Sequence, residues 1–119
     1  MHLKLISFGF KNGVPQDASV VLDCRVLRNP VHNPALKDKT GCNQEVIDWL
    51  RPQPMWPMLV KAAVDTINYR EGVENKQGFT FGIGCTGGHH RSVALVNVLS
   101  EMYGPHMPVT VKHRDIDKE

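Results

Sequence analysis

Phe79-Thr80-Phe81-Gly82-Ile83-Gly84-Cys85-Thr86-Gly87-Gly88-His89-His90-Arg91-Ser92 is the stretch on which the fold turns. Its first half, Phe79 to Ile83, is a short apolar run with strand character. A glycine turn follows, and then a helical pattern from about His89 to Tyr103. Val93, Leu95, Val96, Val98, Leu99 and Met102 cover most of that helix, leaving only Asn97, Ser100, Glu101 and Gly104 as a polar stripe. A helix so largely apolar is expected to lie against a sheet. Strand, glycine loop and helix in this order build an anion cradle. Glycines let backbone N–H groups turn inward, and the helix contributes its positive N-terminal end. Arg91 adds a planar, two-pronged donor suited to phosphate or carboxylate. A turn alone needs only glycine; a thiol, two histidines and an arginine are more chemistry than it requires.

Working outward, Leu3 to Phe8 reads as a first strand, and Gly9 to Asp17 as a loop marked by Asn12-Gly13 and Pro15. Ser19 to Asp23 is β-branched and nearly all apolar, so it is expected to be a central strand. Residues 25–42 contain Asn29-Pro30, Asn33-Pro34 and Thr40-Gly41 and form a long irregular segment of the kind that often carries function. Asn43 is placed as N-cap of a short helix through Leu50. A longer helix is expected from Pro57 to Arg70, ending near Gly72, and a last strand from Pro108 to Lys112. Strands separated by helices give an α/β fold: one domain with a mostly parallel sheet of about four strands. If the strands are parallel, Gly9-Phe10-Lys11, Asp23-Cys24-Arg25 and Cys85 to Ser92 meet at their carboxyl ends.

The chain has 119 residues, 41% hydrophobic and 22% charged, with a net charge of +2. That is enough for one core and only mildly basic, which permits an anionic ligand without declaring a nucleic-acid binder. Cys24, Cys42 and Cys85 are odd in number and widely spaced, so no disulfide framework is expected. No run approaches the ~20 apolar residues of a membrane span, and Met1-His2-Leu3-Lys4 lacks a signal-peptide layout. The expectation is a cytoplasmic protein with no membrane association.

Three chemistries compete for the loop. Cys85, five residues, then Arg91-Ser92 resembles the active-site loop of protein tyrosine phosphatases, in which a thiolate attacks phosphorus and the arginine holds phosphoryl oxygens. The residue before Cys85 is Gly84, where the larger phosphatase families carry histidine, and Asp38 and Asp115 are only nominal general acids. Catalysis by Cys85 and Arg91 is therefore the runner-up, and no catalytic residue is assigned. Metal binding by Cys24, His32, Cys85, His89, His90 and His113 lacks ligand spacing, so neither metal nor cofactor is expected. The favoured reading is recognition of a phosphorylated small molecule. Thr86, Gly87, Gly88, His90, Arg91 and Ser92 would form the phosphate site, Lys11 would add charge, and Asp23 and Asn29 would meet hydroxyl or amino groups. Asp23 is expected to be buried, paired with Arg25 or with ligand. The eight aromatics do not alternate with basic residues, and the mixed-sign tail Lys112 to Glu119 is expected to be a solvated end.

Ser7-Phe8-Gly9-Phe10-Lys11 with Gly13 and Pro15, Asp23-Cys24-Arg25 through Asn29-Pro30, Thr40-Gly41, Ile83 to Gly88 with His90-Arg91-Ser92-Val93, and His113-Arg114 together resemble the C-terminal domain of the RapZ family of bacterial RNase adapters. The resemblance implies an α/β domain similar to a phosphofructokinase subdomain. It implies binding of small regulatory RNA, sensing of glucosamine-6-phosphate and presentation of RNA to an endoribonuclease. It places the sugar-phosphate pocket at Lys11, Asp23, Asn29, Thr86, Gly87, His90 and Arg91, with Arg25, His32, His89, His113 and Arg114 as additional candidates. No Gly-x-x-x-x-Gly-Lys-Ser/Thr loop occurs in these residues, so the chain reads as a free-standing copy, with a homo-oligomer as one expected assembly.

Overall fold

The computed structural model describes residues 1–74 and 78–119. Four strands, β1 (Leu3–Gly9), β2 (Val20–Asp23), β3 (Phe79–Cys85) and β4 (Val109–His113), form one sheet in the order β2-β3-β1-β4. Every pairing is parallel. Helices α1 (Gln44–Leu50) and α2 (Met55–Glu74) lie between β2 and β3, and α3 (Arg91–Tyr103) carries the chain from β3 across β1 to β4. The α/β class with four parallel strands is thus what the strand and helix periods foretold.

The alternation of β1 and β3 explains the layering. Leu3, Leu5, Phe79, Phe81 and Ile83 point to one face, where they join Leu95 and Leu99 of α3 and Leu59, Ala63 and Ile67 of α2 in the core. Each of these is nearly or fully removed from water, and burying such a side chain is worth roughly 1.5–3 kcal/mol. On the opposite face Phe8 packs edge-to-face on Phe10, the first residue of a short 3-10 turn (Phe10–Asn12).

Several local expectations are corrected. β2 is an edge strand, not a central one: it pairs only with β3, and Val21 and Asp23 face water. Its apolar run reflects partial packing on the core rather than burial on both sides. Asn43 does occupy the N-cap position of α1, but its carboxamide accepts the Thr40 N–H instead of a helix amide. α2 begins at Met55 because Pro57 then falls in the first turn, where its missing N–H costs nothing. The same helix runs through Gly72 to Glu74. α3 begins at Arg91, two residues later than expected, because residues 86–90 are consumed by the loop.

The irregular segment 25–43 is pinned against the start of α3 at Gly41. Its N–H donates to the His89 carbonyl at 2.9 Å, and its own carbonyl accepts from Asn97 Nδ2. A Cβ at position 41 would lie 2.2 Å from the Ala94 nitrogen and 2.4 Å from the His90 oxygen, both backbone atoms. Gly41→Ala is therefore expected to destabilise the domain by about 1–3 kcal/mol, the usual cost of forced overpacking. Thermal unfolding would check this, and an unchanged midpoint would show that the segment can simply move away.

Candidate anion-binding site

Because all four strands run the same way, their carboxyl ends deliver Gly9-Phe10-Lys11, Asp23-Cys24-Arg25, Cys85 to Arg91 and His113-Arg114-Asp115 to one edge of the sheet. Register sets β1 residue Gly9 opposite Cys85, so the chains leaving β1 and β3 run against one another. Gly88, at φ 79°, fits only as glycine: a Cβ there would sit 2.6 Å from the Gly9 nitrogen.

The loop after β3 borders a cavity of about 180 Å³, lined by Cys85, Thr86, Gly87, Gly88, His89, His90 and Arg91 and, from other segments, Lys11, Asn29 and Val31. At its floor the thiols of Cys24 and Cys85 meet as cross-strand neighbours beyond the Asp23–Gly84 pair. The Cys24 thiol donates to the Gly84 carbonyl at 3.2 Å, and the Cys85 sulfur shares a hydrogen bond with the Ser92 hydroxyl at 3.2 Å and lies against the amides of Ser92 and Gly88. The Cys24 contact and these donors outweigh burial and lower the Cys85 pKa to about 4, while the same contact and burial push Cys24 up. Cys85 is shielded, only 2% exposed, in surroundings that favour its thiolate form.

Arg91 is 5% exposed. Its Nη1 donates to the carbonyls of Arg25 (3.2 Å) and Leu27 (3.0 Å), which fixes the guanidinium plane. Its Nε is buried without a protein partner. His90 Nε2 is likewise buried and unpartnered, and desolvation lowers that histidine's pKa against the opposing carbonyls of Lys39 and Lys37. A buried guanidinium N–H and a buried ring nitrogen without partners are energetically costly, and both residues line the cavity.

The sequence candidates divide into five groups. Lys11, Asn29, Thr86, Gly87, Gly88, His89, His90 and Arg91 line the cavity. Ser92, fully buried, stands behind it and touches Cys85. Asp23 and Arg25 sit outside as an exposed bidentate pair, with Arg25 Nη2 at 2.7 Å from Asp23 Oδ2 and the guanidinium over the Phe10 ring. The expected burial of Asp23 is therefore corrected; Arg25 lowers its pKa. His113 is tied to Ser7 Oγ and Asn97 Oδ1, and Arg114 to Asp115 and the Asn12 and Gly13 carbonyls, so both are part of the frame. His32 faces a neighbouring cavity. Among the described residues no group of three or more potential ligands is arranged to hold a metal, and no helix is long and apolar enough to cross a membrane.

The sequence reading missed the tail. Residues 114–119 fold back rather than fray. Asp115 is fully buried, accepts the Gly9 N–H at 2.8 Å and pairs with Arg114 and Lys118. The carbonyls of Lys118 and Glu119 reach His89 and Lys11 at the cavity mouth. Mixed charge hid this, because Asp115 acquires its partners only from the ends of β1 and β4.

Comparison with known proteins agrees with this anatomy. The sequence profile of the RapZ C-terminal domain matches residues 1–117. The chain belongs to this family. Relatives named "Nucleotide-binding protein" include one from Lactiplantibacillus plantarum, 41% identical over 120 residues, covering 98% of this chain and 41% of the relative. Another, from Thermus thermophilus, is 40% identical over 121 residues, covering 98% of this chain and 44% of the relative. The chain of this RapZ C-terminal domain therefore spans about two fifths of the length of the curated relatives it matches.

Two outcomes are expected from the site geometry. In a Cys42→Ser background, which removes the exposed thiol, alkylation of Cys85 should follow a titration with its midpoint near 4; a midpoint near the ordinary ~8.5 would refute the thiolate. For Asp115, burial alone would raise the pKa, yet Arg114, the Gly9 amide and Lys118 hold it well below the carboxylate range. A depressed folded pKa contributes stability above the unfolded value of ~3.9 that is lost as pH falls below it. Asp115→Asn should lower stability by roughly 1–3 kcal/mol at pH 7 and flatten the acid limb of a stability–pH curve. An unchanged limb would exclude this carboxylate as its source.

Proposed function

We propose that the domain is a binding and signalling module for a phosphorylated small molecule, an amino-sugar phosphate such as glucosamine-6-phosphate. The observation that carries the reading is Arg91: an almost fully buried guanidinium on a residue that lines the cavity, held in place by two backbone carbonyls through Nη1, with a buried Nε that has no protein partner. A phosphoryl group is the natural acceptor for that edge. His90 and the Thr86-Gly87 backbone, which line the same cavity, would complete the cradle, while the Gly88 amide is taken by the Cys85 sulfur. Lys11 and Asn29 line the cavity, and Asp23, paired with Arg25 outside it, would have to leave that pair to meet a hydroxyl or amino group. Family membership extends the reading to small regulatory RNA and an endoribonuclease as partners, which a mobility-shift assay with structured RNA would test.

Calorimetric titration with glucosamine-6-phosphate, against glucosamine and inorganic phosphate, is the direct test. Sugar phosphate is expected to bind selectively, and Arg91→Ala to weaken it about tenfold or more, the loss of a charge-assisted hydrogen bond. Unchanged affinity in Arg91→Ala would sink the cradle. A bound dianion should also raise the Cys85 pKa by like-charge repulsion, so phosphate should slow its alkylation at pH 6.

One observation favours a second reading. The Cys85 thiolate, backed by Ser92 and followed by Arg91 at the first turn of α3, has the parts of a phosphatase nucleophile. No carboxylate lines the cavity to protonate a leaving group, which weighs toward binding without turnover. Hydrolysis of p-nitrophenyl phosphate that disappears in Cys85→Ser would reverse that preference; its absence is expected.

A further inference from the structure

The floor of the cavity holds a second chemistry that ligand binding does not use. Cys24 follows Asp23, the last residue of β2, and Cys85 ends β3. Asp23 pairs with Gly84, and the ladder continues one step further, since the Cys24 N–H donates to the Gly84 carbonyl at 2.9 Å. Cys24 and Cys85 therefore stand side by side on parallel chains, about 4.8 Å apart at the backbone, and both side chains are buried in the core. A disulfide needs Cα atoms about 4.4–6.8 Å apart, so the two sulfurs can bond without separating the strands. Their surroundings differ. Cys85 lines the cavity of about 180 Å³, a volume that admits a molecule the size of peroxide. Cys24 is fully buried, and its thiol donates to the Gly84 carbonyl. The groups around Cys85 favour its thiolate, while contact with Cys85 and burial keep Cys24 protonated. A nucleophilic sulfur with a protonated partner at bonding distance is the arrangement of a redox-active pair. The third thiol, Cys42, is exposed and sits against Asn97, away from both.

We infer that Cys24 and Cys85 form a peroxide-responsive dithiol that closes to a disulfide beneath the cavity. The Cys85 thiolate attacks one oxygen of hydrogen peroxide. The O–O bond breaks, Cys85 becomes a sulfenic acid, and the other oxygen leaves as hydroxide and is protonated by solvent. The Cys24 sulfur then attacks the Cys85 sulfur. The S–S bond forms as the S–O bond breaks, and the departing hydroxide takes the Cys24 proton. The sulfurs together give up two electrons, and the peroxide is reduced to two waters. The Cys24 carbonyl accepts the Leu27 N–H at 3.2 Å and so opens the turn whose Arg25 and Leu27 carbonyls hold Arg91. Closing the pair thus acts at the root of the turn that orients Arg91. The step needs no phosphorylated ligand in the cavity and stands apart from the binding reading.

The test uses the whole chain carrying Cys42→Ser, an exposed change that leaves only the pair. The folded protein is treated with hydrogen peroxide at pH 7, quenched, unfolded and alkylated, and its mass is read. Both thiols are expected to disappear together, with the mass falling by two hydrogen atoms and one cross-linked peptide joining Cys24 to Cys85. Dithiothreitol should restore both thiols. Adding Cys24→Ala removes the resolving thiol, so Cys85 should run on to sulfinic acid and the mass should rise by two oxygen atoms. The Cys42→Ser result decides by itself should that core variant not fold. Two thiols still open to alkylation after peroxide would overturn the dithiol. So would a Cys85 sulfinic acid beside a free Cys24, or a disulfide that joins separate chains.

Discussion

The parallel register of β1 on β3 is the constraint from which the rest follows. It sets Gly9 beside Cys85, so the two central strands end at the same level and their loops must pass in contact. That contact has no room for a side chain at Gly88. It also presents the Gly9 N–H to a buried carboxylate, Asp115, delivered by the segment after β4. The ends of β1, β3 and β4 are thus locked together by backbone proximity and one ionic cluster. Loops on such a frame hold their shape without ligand, which lowers the ordering cost of binding.

Within the frame the charges are deliberately unbalanced. At the floor lies a cysteine sulfur whose pKa is lowered, in contact with a hydroxyl and two amides, while an arginine at the wall has a buried nitrogen without a partner. The sulfur consumes donors that would otherwise face the cavity, and the arginine keeps one that the fold does not need. An orphaned buried donor costs about 1–3 kcal/mol.

The segment 25–43 links the two cavities. Its carbonyls at Arg25 and Leu27 orient Arg91, Asn29 stands in the shared wall, and Gly41 clamps its far end on α3. Asn29 also caps the 3-10 turn Pro30–His32 by accepting the Val31 N–H, which fixes where His32 emerges. A segment without regular structure is therefore held by side chains at both ends and in the middle, and it can shape a ligand site as reliably as a helix does.

Much of this was legible in the sequence. The strand, glycine loop and apolar helix of residues 79–103 determined the α/β class and the place of the loop between β3 and α3, because period-two and helical patterns and glycine turns are local properties. The motif residues from Lys11 to Arg91 marked which loops meet. What the sequence did not determine were the quantities that arise between distant segments. The run Val20 to Leu22 looked central but lies at an edge, because apolar character records burial and not strand order. Asp23 looked buried and is exposed, while Asp115 looked solvated and is buried, because only the meeting of β1 and β4 decides which carboxylate finds partners. Local chemistry is written along the chain; burial, partnership and the shape of a cavity belong to the tertiary structure, since they depend on groups that the chain brings together only by folding.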